Sequence, residues 1–469
     1  DFCQRAMKAG WRNLHALDTF VLHTGSVSFG TMKAALEIEG ANQLRTLHPT
    51  YEAQVHQFIQ ADPARPYREA IDLARLAANH LPRVLAVTHS LGGGTLRHIR
   101  ELAEHLRERV TTLSMTPMAN HNILIEWVAE NEGMQKTFHW LTESRQMVSW
   151  LRQTGVTHVH YHHLLGLSSS MMRIHEYLGV SYDFTAHDYY TACPQVTLTN
   201  AQQAYCGERG IEQCNACIAE RPTPRHETIE DWRLRHSLFL KQARNVLVPS
   251  RDAATRLRRY FQESPPRYIP HTDLTEQRQE QLPAPAAYTI SEQANLRVLV
   301  VGALSQAKGS DTLEATAIAA AQTQAPIEFH LIGYPHKPLK TQPEASLTIH
   351  GAYKDQDLVQ IIKRLKPNLV WFPAQWPETY SYTLSAALLA GFPIVIPDLG
   401  ALPERTGHRP WTWVRPWKAT AHQWLAFFME LREQHFIKGV PPPVAPGRVA
   451  AGLQEPTSQW SYTKDYLEF

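Results

Sequence analysis

Two runs of consecutive apolar β-formers, Val84-Leu85-Ala86-Val87 and Val298-Leu299-Val300-Val301, each lead into a glycine-bearing turn followed by a helical pattern. A strand that is apolar on both faces must be covered on both, which helices above and below a parallel sheet achieve. The first run is followed by Gly92-Gly93-Gly94, then by Leu96, Ile99, Leu102 and Leu106 at helical spacing. The second is followed by Gly302-Ala303-Leu304-Ser305-Gln306-Ala307-Lys308-Gly309. Further strand-length runs fall at 111–115, 122–125, 158–162, 182–186 and 245–249, and then at 328–332, 347–350, 369–372 and 394–396. Helix-length segments separate them. This alternation predicts two doubly wound α/β domains, with a proline-marked break over 262–296 at Pro265-Pro266, Pro270 and Pro283-Ala284-Pro285.

With 469 residues, the chain is long enough for two or three domains. A net charge of +2 gives no global field of the kind a nucleic-acid partner would use. No apolar run reaches the ~20 residues that span a bilayer. The first residues lack the charged start and apolar centre of a signal peptide. With Asp1 in place of an initiator Met, the chain is expected to be a fragment. The arginines of the 251–259 run read as a solvated helix face, with membrane-surface docking as the alternative. Cysteine usage does not suggest a secreted disulfide framework. The expected compartment is therefore the cytoplasm, with the inner face of its membrane as a second placement.

Several constellations could carry chemistry. Gly92, Gly93 and Gly94 permit close backbone approach and offer N–H groups to an anion, although a tight turn explains them equally well. His187-Asp188 ends a strand at the sheet edge where ligands bind, with a structural histidine as the alternative. His160, His162 and His163 form an HxHH pattern that invites a metal, but sugar contacts or packing are the preferred readings. Cys193, Cys206, Cys214 and Cys217 follow C-x12-C-x7-C-x2-C in a polar insertion. They suit either a structural Zn²⁺ or free, redox-active thiols.

The stretch 376–398 joins an acidic loop at Glu378, a helix of small residues starting near Ser381, Tyr382 and Thr383, and a buried strand. It resembles the donor-binding signature of retaining glycosyltransferases of the GT-B fold, and residues 83–405 resemble family 4 of those enzymes. The resemblance implies two Rossmann-like domains facing across a cleft. It also implies a nucleotide-sugar donor as co-substrate, a glycan or lipid-linked glycan acceptor, and transfer with retention in cell-surface polysaccharide synthesis. No catalytic metal is implied. By the same resemblance, Lys308 with Gly302 and the amides of Ser381, Tyr382 and the Thr383 hydroxyl hold the diphosphate, beside Gly92–Gly94. Glu378 and His187 face the sugar. The signature's second glutamate would stand eight positions after Glu378, where this chain has Ala386. The family's arginine has its counterpart in Ala303. These departures leave three readings: weak donor binding, compensation by a neighbour such as Ser385, or a non-catalytic GT-B scaffold or glycan-binding module.

Residues 1–75 resemble the end of a family 2, GT-A domain that starts at its second acid, Asp1, with a helix ending at Gly10 and a strand at 20–23. The expected organisation is a truncated α/β remnant and connector (1–78) and an acceptor domain (79–262) with the cysteine insertion 193–217. A donor domain (290–410) and a tail (411–469) follow.

Overall fold

Among the described residues, fourteen strands in two sheets organise the chain from Arg83 onward. The computed structural model describes all residues except 15, 17, 18, 20, 23–32, 129–133, 224, 272–281, 286–288, 408, 444–459, 467 and 469.

The first sheet contains β1 (Arg83–Val87), β2 (Thr111–Pro117), β3 (Asn122–Trp127), β4 (Gln135–His139), β5 (Val156–Tyr161), β6 (Tyr182–Thr185), β7 (Asn245–Val248) and β8 (Arg267–Tyr268). Its order is β4-β3-β2-β1-β5-β6-β7-β8. All neighbours are parallel except β2-β3 and β3-β4, which extend one edge as an antiparallel meander. The second sheet contains β9 (Leu296–Leu304), β10 (Ile327–Pro335), β11 (Leu347–Gly351), β12 (Leu369–Trp371), β13 (Ile394–Pro397) and β14 (Thr412–Arg415). It is wholly parallel, in the order β11-β10-β9-β12-β13-β14. Renumbered from its own first strand, this is the 3-2-1-4-5-6 order of a dinucleotide-type fold. Both sheets reverse direction of growth beside their first strand: between β1 and β5, and between β9 and β12. Helices leave on opposite faces at such a point and open a crevice at the carboxyl ends of the strands.

Core composition follows from this layering. Leu296, Val298, Val300, Phe329, Leu331 and Trp371 form one buried cluster with Trp424, Phe428 and Leu431 of the helix Ala421–Leu431. The second sheet and its core therefore extend past residue 410, because β14 pairs with β13 and that helix covers the sheet. The last described segment packs elsewhere: Tyr462 and Tyr466 lie with Val84, Leu102, Leu106 and Leu247 in the core of the first sheet.

Asp1–Ala78 form a separate compact unit. Its described elements are four helices, Phe2–Lys8, Lys33–Leu47, Tyr51–Ala61 and Arg65–Ala78. The strand expected at 20–23 falls partly outside the described residues. Val21 and Leu22, which are described, belong to no strand and are 76% and 82% exposed. Among the described residues this unit is thus helical rather than α/β. Asp1 accepts hydrogen bonds from Arg5 Nε (2.9 Å) and pairs with His48 Nε2 (3.0 Å).

No helix among the described residues is long and apolar enough to cross a membrane. The 251–259 arginines are not a uniformly solvated face. Arg258 and Arg259 are exposed, but the Arg256 side chain is 12% exposed and bonded to Asp252, Tyr205 and Glu208. At the start of the same helix, Arg251–Tyr260, the Glu404 carboxylate accepts the N–H groups of Arg251 and Asp252, each at 2.8 Å. Glu404 sits after β13, so a carboxylate of the second lobe caps a helix of the first. Glu404→Gln removes one of the two acceptors. We expect a loss of about 1 kcal/mol, read as a lower urea midpoint at unchanged slope.

Candidate active site

The crevices of the two sheets face each other and merge into one cleft of about 1090 Å³. From the first lobe it is lined by Gly93, Gly94, Arg97 and Arg100 and by His187 and Asp188. The second lobe contributes Gly302, Ala303, Lys308, Glu378 and the run Thr379 to Thr383. The structure therefore brings His187, Lys308, Glu378, Gly93, Gly94, Gly302, Ser381, Tyr382 and Thr383 together. Gly92 stands just outside the lining and caps the helix Gly93–His105 with φ +68°.

Local chemistry explains each placement. Ser381 is the N-cap of the helix Tyr382–Ala390, and its hydroxyl accepts from Leu384 N at 3.3 Å. The helix follows β12, so its N-terminus opens at the switch point and presents the positive end of its dipole. Gly302 has φ +126°, and a Cβ there would meet Thr383 Cγ2 at 3.4 Å. Gly309 lets the Lys308 loop lie flat against the segment that leaves β12, since a Cβ would sit 2.1 Å from Pro373 O. Gly94 packs against the Tyr382 ring, where a Cβ would stand 3.5 Å from Cδ2.

Glu378 is buried, and burial raises its carboxyl above the usual range; Lys308, a hydrogen bond from Ser381 and Arg405 oppose that shift. Its backbone lies hard against Gly400, where a Cβ would fall 2.5 Å from Glu378 N and 2.6 Å from Glu378 O, at φ +70°. Gly400→Ala should displace Glu378 as well as strain the turn. We expect destabilisation of about 2 kcal/mol or more and weakened ligand protection in the cleft, both measurable by thermal shift.

Arg97, Arg405, His98 and His271 were not singled out from the sequence. The Arg97 guanidinium lies 4.2 Å from the Tyr382 ring centroid, 2.8 Å from Glu101 and 3.7 Å from Asp355, joining the two walls of the cleft. Its signal was available: it follows the triple glycine by three residues and precedes Glu101 by four, so it sits on the first turns of the helix that borders the cleft. Arg405 donates to Ser381 O (2.6 Å) and Ser385 Oγ (2.8 Å), with its guanidinium 3.7 Å from the Tyr380 ring centroid. This engages Ser385, which is buried, and leaves it unsuited to compensate for the missing glutamate. Ala386 is 7% exposed and does not line the cleft.

The cysteine insertion bridges the lobes: Tyr205 N donates to Gln375 O at 2.7 Å, and Val196 and Thr197 reach the cleft. None of its four cysteines forms a disulfide. They do not form a group with three ligand atoms mutually within 4.8 Å. Arg221 Nη2 lies 3.0 Å from Cys217 Sγ and Arg233 Nη2 3.6 Å from Cys214 Sγ. Burial pushes the Cys193 thiol up to about 12, which keeps it protonated at neutral pH.

Two doubly wound lobes across a ligand-sized cleft define the GT-B fold. Residues 92–272 match the family model described as Glycosyltransferase Family 4. The chain is similar to HepE of Anabaena in complex with UDP and glucose, at 12% identity over 75% of this chain and 90% of that one, with a TM-score of 0.47. It is also similar to sucrose-phosphate synthase of Thermosynechococcus elongatus (13% identity, 75% and 89% covered, TM-score 0.46). A third similar structure is the catalytic domain of starch synthase IV from Arabidopsis thaliana bound to ADP and acarbose (13% identity, 76% and 92% covered, TM-score 0.46). No curated protein matches the chain.

Proposed function

We propose that this chain transfers a sugar from a nucleotide-sugar donor to a glycan or lipid-linked glycan acceptor, with retention, in cell-surface polysaccharide synthesis. The observation that carries this reading is the meeting of Lys308, Glu378 and the N-terminus of the helix Tyr382–Ala390 at the switch point of the second sheet. A cation and the positive end of a helix dipole suit a diphosphate, and a neighbouring carboxyl suits sugar hydroxyls. The family match of the opposite lobe supports the same assignment.

In this reading Lys308 and the Tyr382 and Thr383 amides take up the negative charge that develops on the departing diphosphate. Glu378 orients the sugar from one side and His187, across the cleft, from the other. Tyr334 and Tyr353, which also line the cleft, offer aromatic faces to the base. We place the reaction in the cytoplasm, at the inner face of the membrane when the acceptor is lipid-linked.

A non-catalytic GT-B scaffold or glycan-binding module is the second reading. It is favoured by Ala386, whose buried methyl supplies no carboxylate for the ribose. Incubation with a panel of nucleotide sugars, with and without glycan acceptors, separates the two. The enzyme reading expects release of one nucleoside diphosphate and a product of unchanged anomeric configuration by NMR. Thermal stabilisation by glycans alone, with no donor bound or cleaved, would replace it by the second reading.

A further inference from the structure

Histidines from three distant parts of the chain converge at the switch point of the first sheet. His98 lies in the helix after β1, His162 directly follows β5, and His187 follows β6. Their ring nitrogens offer one set of ligand atoms that all lie within 4.8 Å of one another, the one such group of three or more His, Cys, Asp or Glu among the described residues. His162 Nδ1 and His187 Nε2 are 3.1 Å apart, a hydrogen-bond contact that a shared ion would replace. Two imidazoles on one tetrahedral ion, with metal–nitrogen bonds of about 2.0–2.1 Å, place their nitrogens about 3.3 Å apart.

The hydrogen-bond pattern distinguishes this group from a packed stack of rings. His160 is adjacent, its ring centroid 3.9 Å from that of His162, yet both its nitrogens are committed: Nδ1 to Tyr466 Oη and Nε2 to Thr185 Oγ1, each at 2.8 Å. His98 is 0% exposed, and neither of its ring nitrogens has a hydrogen-bond partner. His271, whose ring centroid is 4.0 Å from that of His98, is 2% exposed and has no partner for Nδ1. A neutral imidazole always presents a donor and an acceptor, and burying both unmet is costly unless something else occupies the site. An ion bound through a ring lone pair answers that need on the acceptor side. Burial holds the His98 imidazole down at about 3 and those of His162 and His187 well below the ordinary range. Protons therefore do not compete for the lone pairs at neutral pH.

We propose that His98, His162 and His187 bind one divalent transition-metal ion of the zinc class, its open coordination position facing the cleft that His187 lines. Three imidazoles with no carboxylate favour zinc, copper, nickel or iron over magnesium or calcium. The site shares His187 with the sugar-transfer reading and adjoins its cleft, but no step of that reading passes through the ion.

The test uses the untagged full chain, stripped by chelator and titrated with Co²⁺. One equivalent should bind with visible d–d absorption, and Zn²⁺ should displace it. His98→Phe and His162→Phe keep a ring in the core and should weaken binding about 100-fold or more. The quadruple Cys→Ser variant at 193, 206, 214 and 217 should bind as the parent does. X-ray absorption on the zinc-loaded parent needs no variant, and should read nitrogen neighbours near ~2.0 Å and no sulfur near ~2.3 Å. Absence of stoichiometric Co²⁺ binding, unchanged binding in His98→Phe, or sulfur in the zinc shell would each overturn the proposal.

Discussion

Lowering the pH from 7.5 to 5 should destabilise this chain by several kcal/mol and bring on unfolding. The cause is the buried histidine group. His98, His160, His162 and His271 are 0–2% exposed, and burial holds all four imidazoles far below their ordinary value, His98 at about 3. In the unfolded chain each titrates near 6.5. The unfolded state therefore binds more protons between the two values, and stability falls as pH drops through 6.5. At pH 5 His98 alone costs about 2 kcal/mol relative to neutral pH, and the other three act in the same direction. Glu404 acts in the opposite sense. Burial raises its carboxyl from 4.5 to about 6, so its contribution is greatest below 4.5 and is lost as pH rises through 6. That gain is about 1 kcal/mol at pH 5, too small to offset four histidines. Against a typical reserve of about 5–15 kcal/mol, the histidine effect decides the outcome. Urea midpoints at the two pH values measure it, and an equal or higher midpoint at pH 5 would show that the imidazoles are solvated or already charged. A metal ion on His98, His162 and His187 would steepen the loss, since each ligand must stay unprotonated.

Much of this fold was legible in the sequence because parallel strands buried on both faces are written as continuous apolar runs. Val84 to Val87 and Val298 to Val301 declare themselves that way, and each lies where its sheet places its first strand. What the sequence did not declare has physical reasons. β4, with only Phe138 buried, carries too weak a pattern to read. β14, Thr412–Arg415, has polar and aromatic residues at an edge, where one face is open. The second-lobe residues that line the cleft were legible as a group because helix capping and glycine turns have local signatures. Arg405 and His271 were not, since their neighbours in space are Ser381, Ser385, Tyr380 and His98, all remote in sequence. The significance of Ala386 also shifts. As a motif position it promised to decide whether the cleft works, but a buried alanine off the cleft wall is a weaker lever than the exposed Ala303 on it.

Lys308 and Ala303 therefore give the most decisive pair of variants. Lys308 is half-buried on a loop whose backbone is closed by its own turn: its N–H donates to Ser305 O at 3.1 Å. Lys308→Ala should leave the melting temperature nearly unchanged, because it breaks neither core packing nor the turn. It should lower kcat/KM for the nucleotide sugar about 10²–10³-fold, the scale of losing one preorganised charge at a developing oxyanion. The loss should fall mainly on kcat, since the diphosphate gains charge as it departs. Ala303→Arg should act in the other direction. Its side chain projects from an exposed position at the cleft, and a guanidinium can grip two phosphate oxygens where lysine offers a point charge. An added charge-assisted contact of about 1.5–3 kcal/mol corresponds to a gain of at least ~10-fold in nucleoside diphosphate affinity. Titration calorimetry with the nucleoside diphosphate, together with turnover of its sugar, reads both variants. If Lys308→Ala keeps full turnover, or Ala303→Arg leaves diphosphate affinity untouched, the diphosphate does not lie between the Gly302–Gly309 loop and the start of the Tyr382–Ala390 helix.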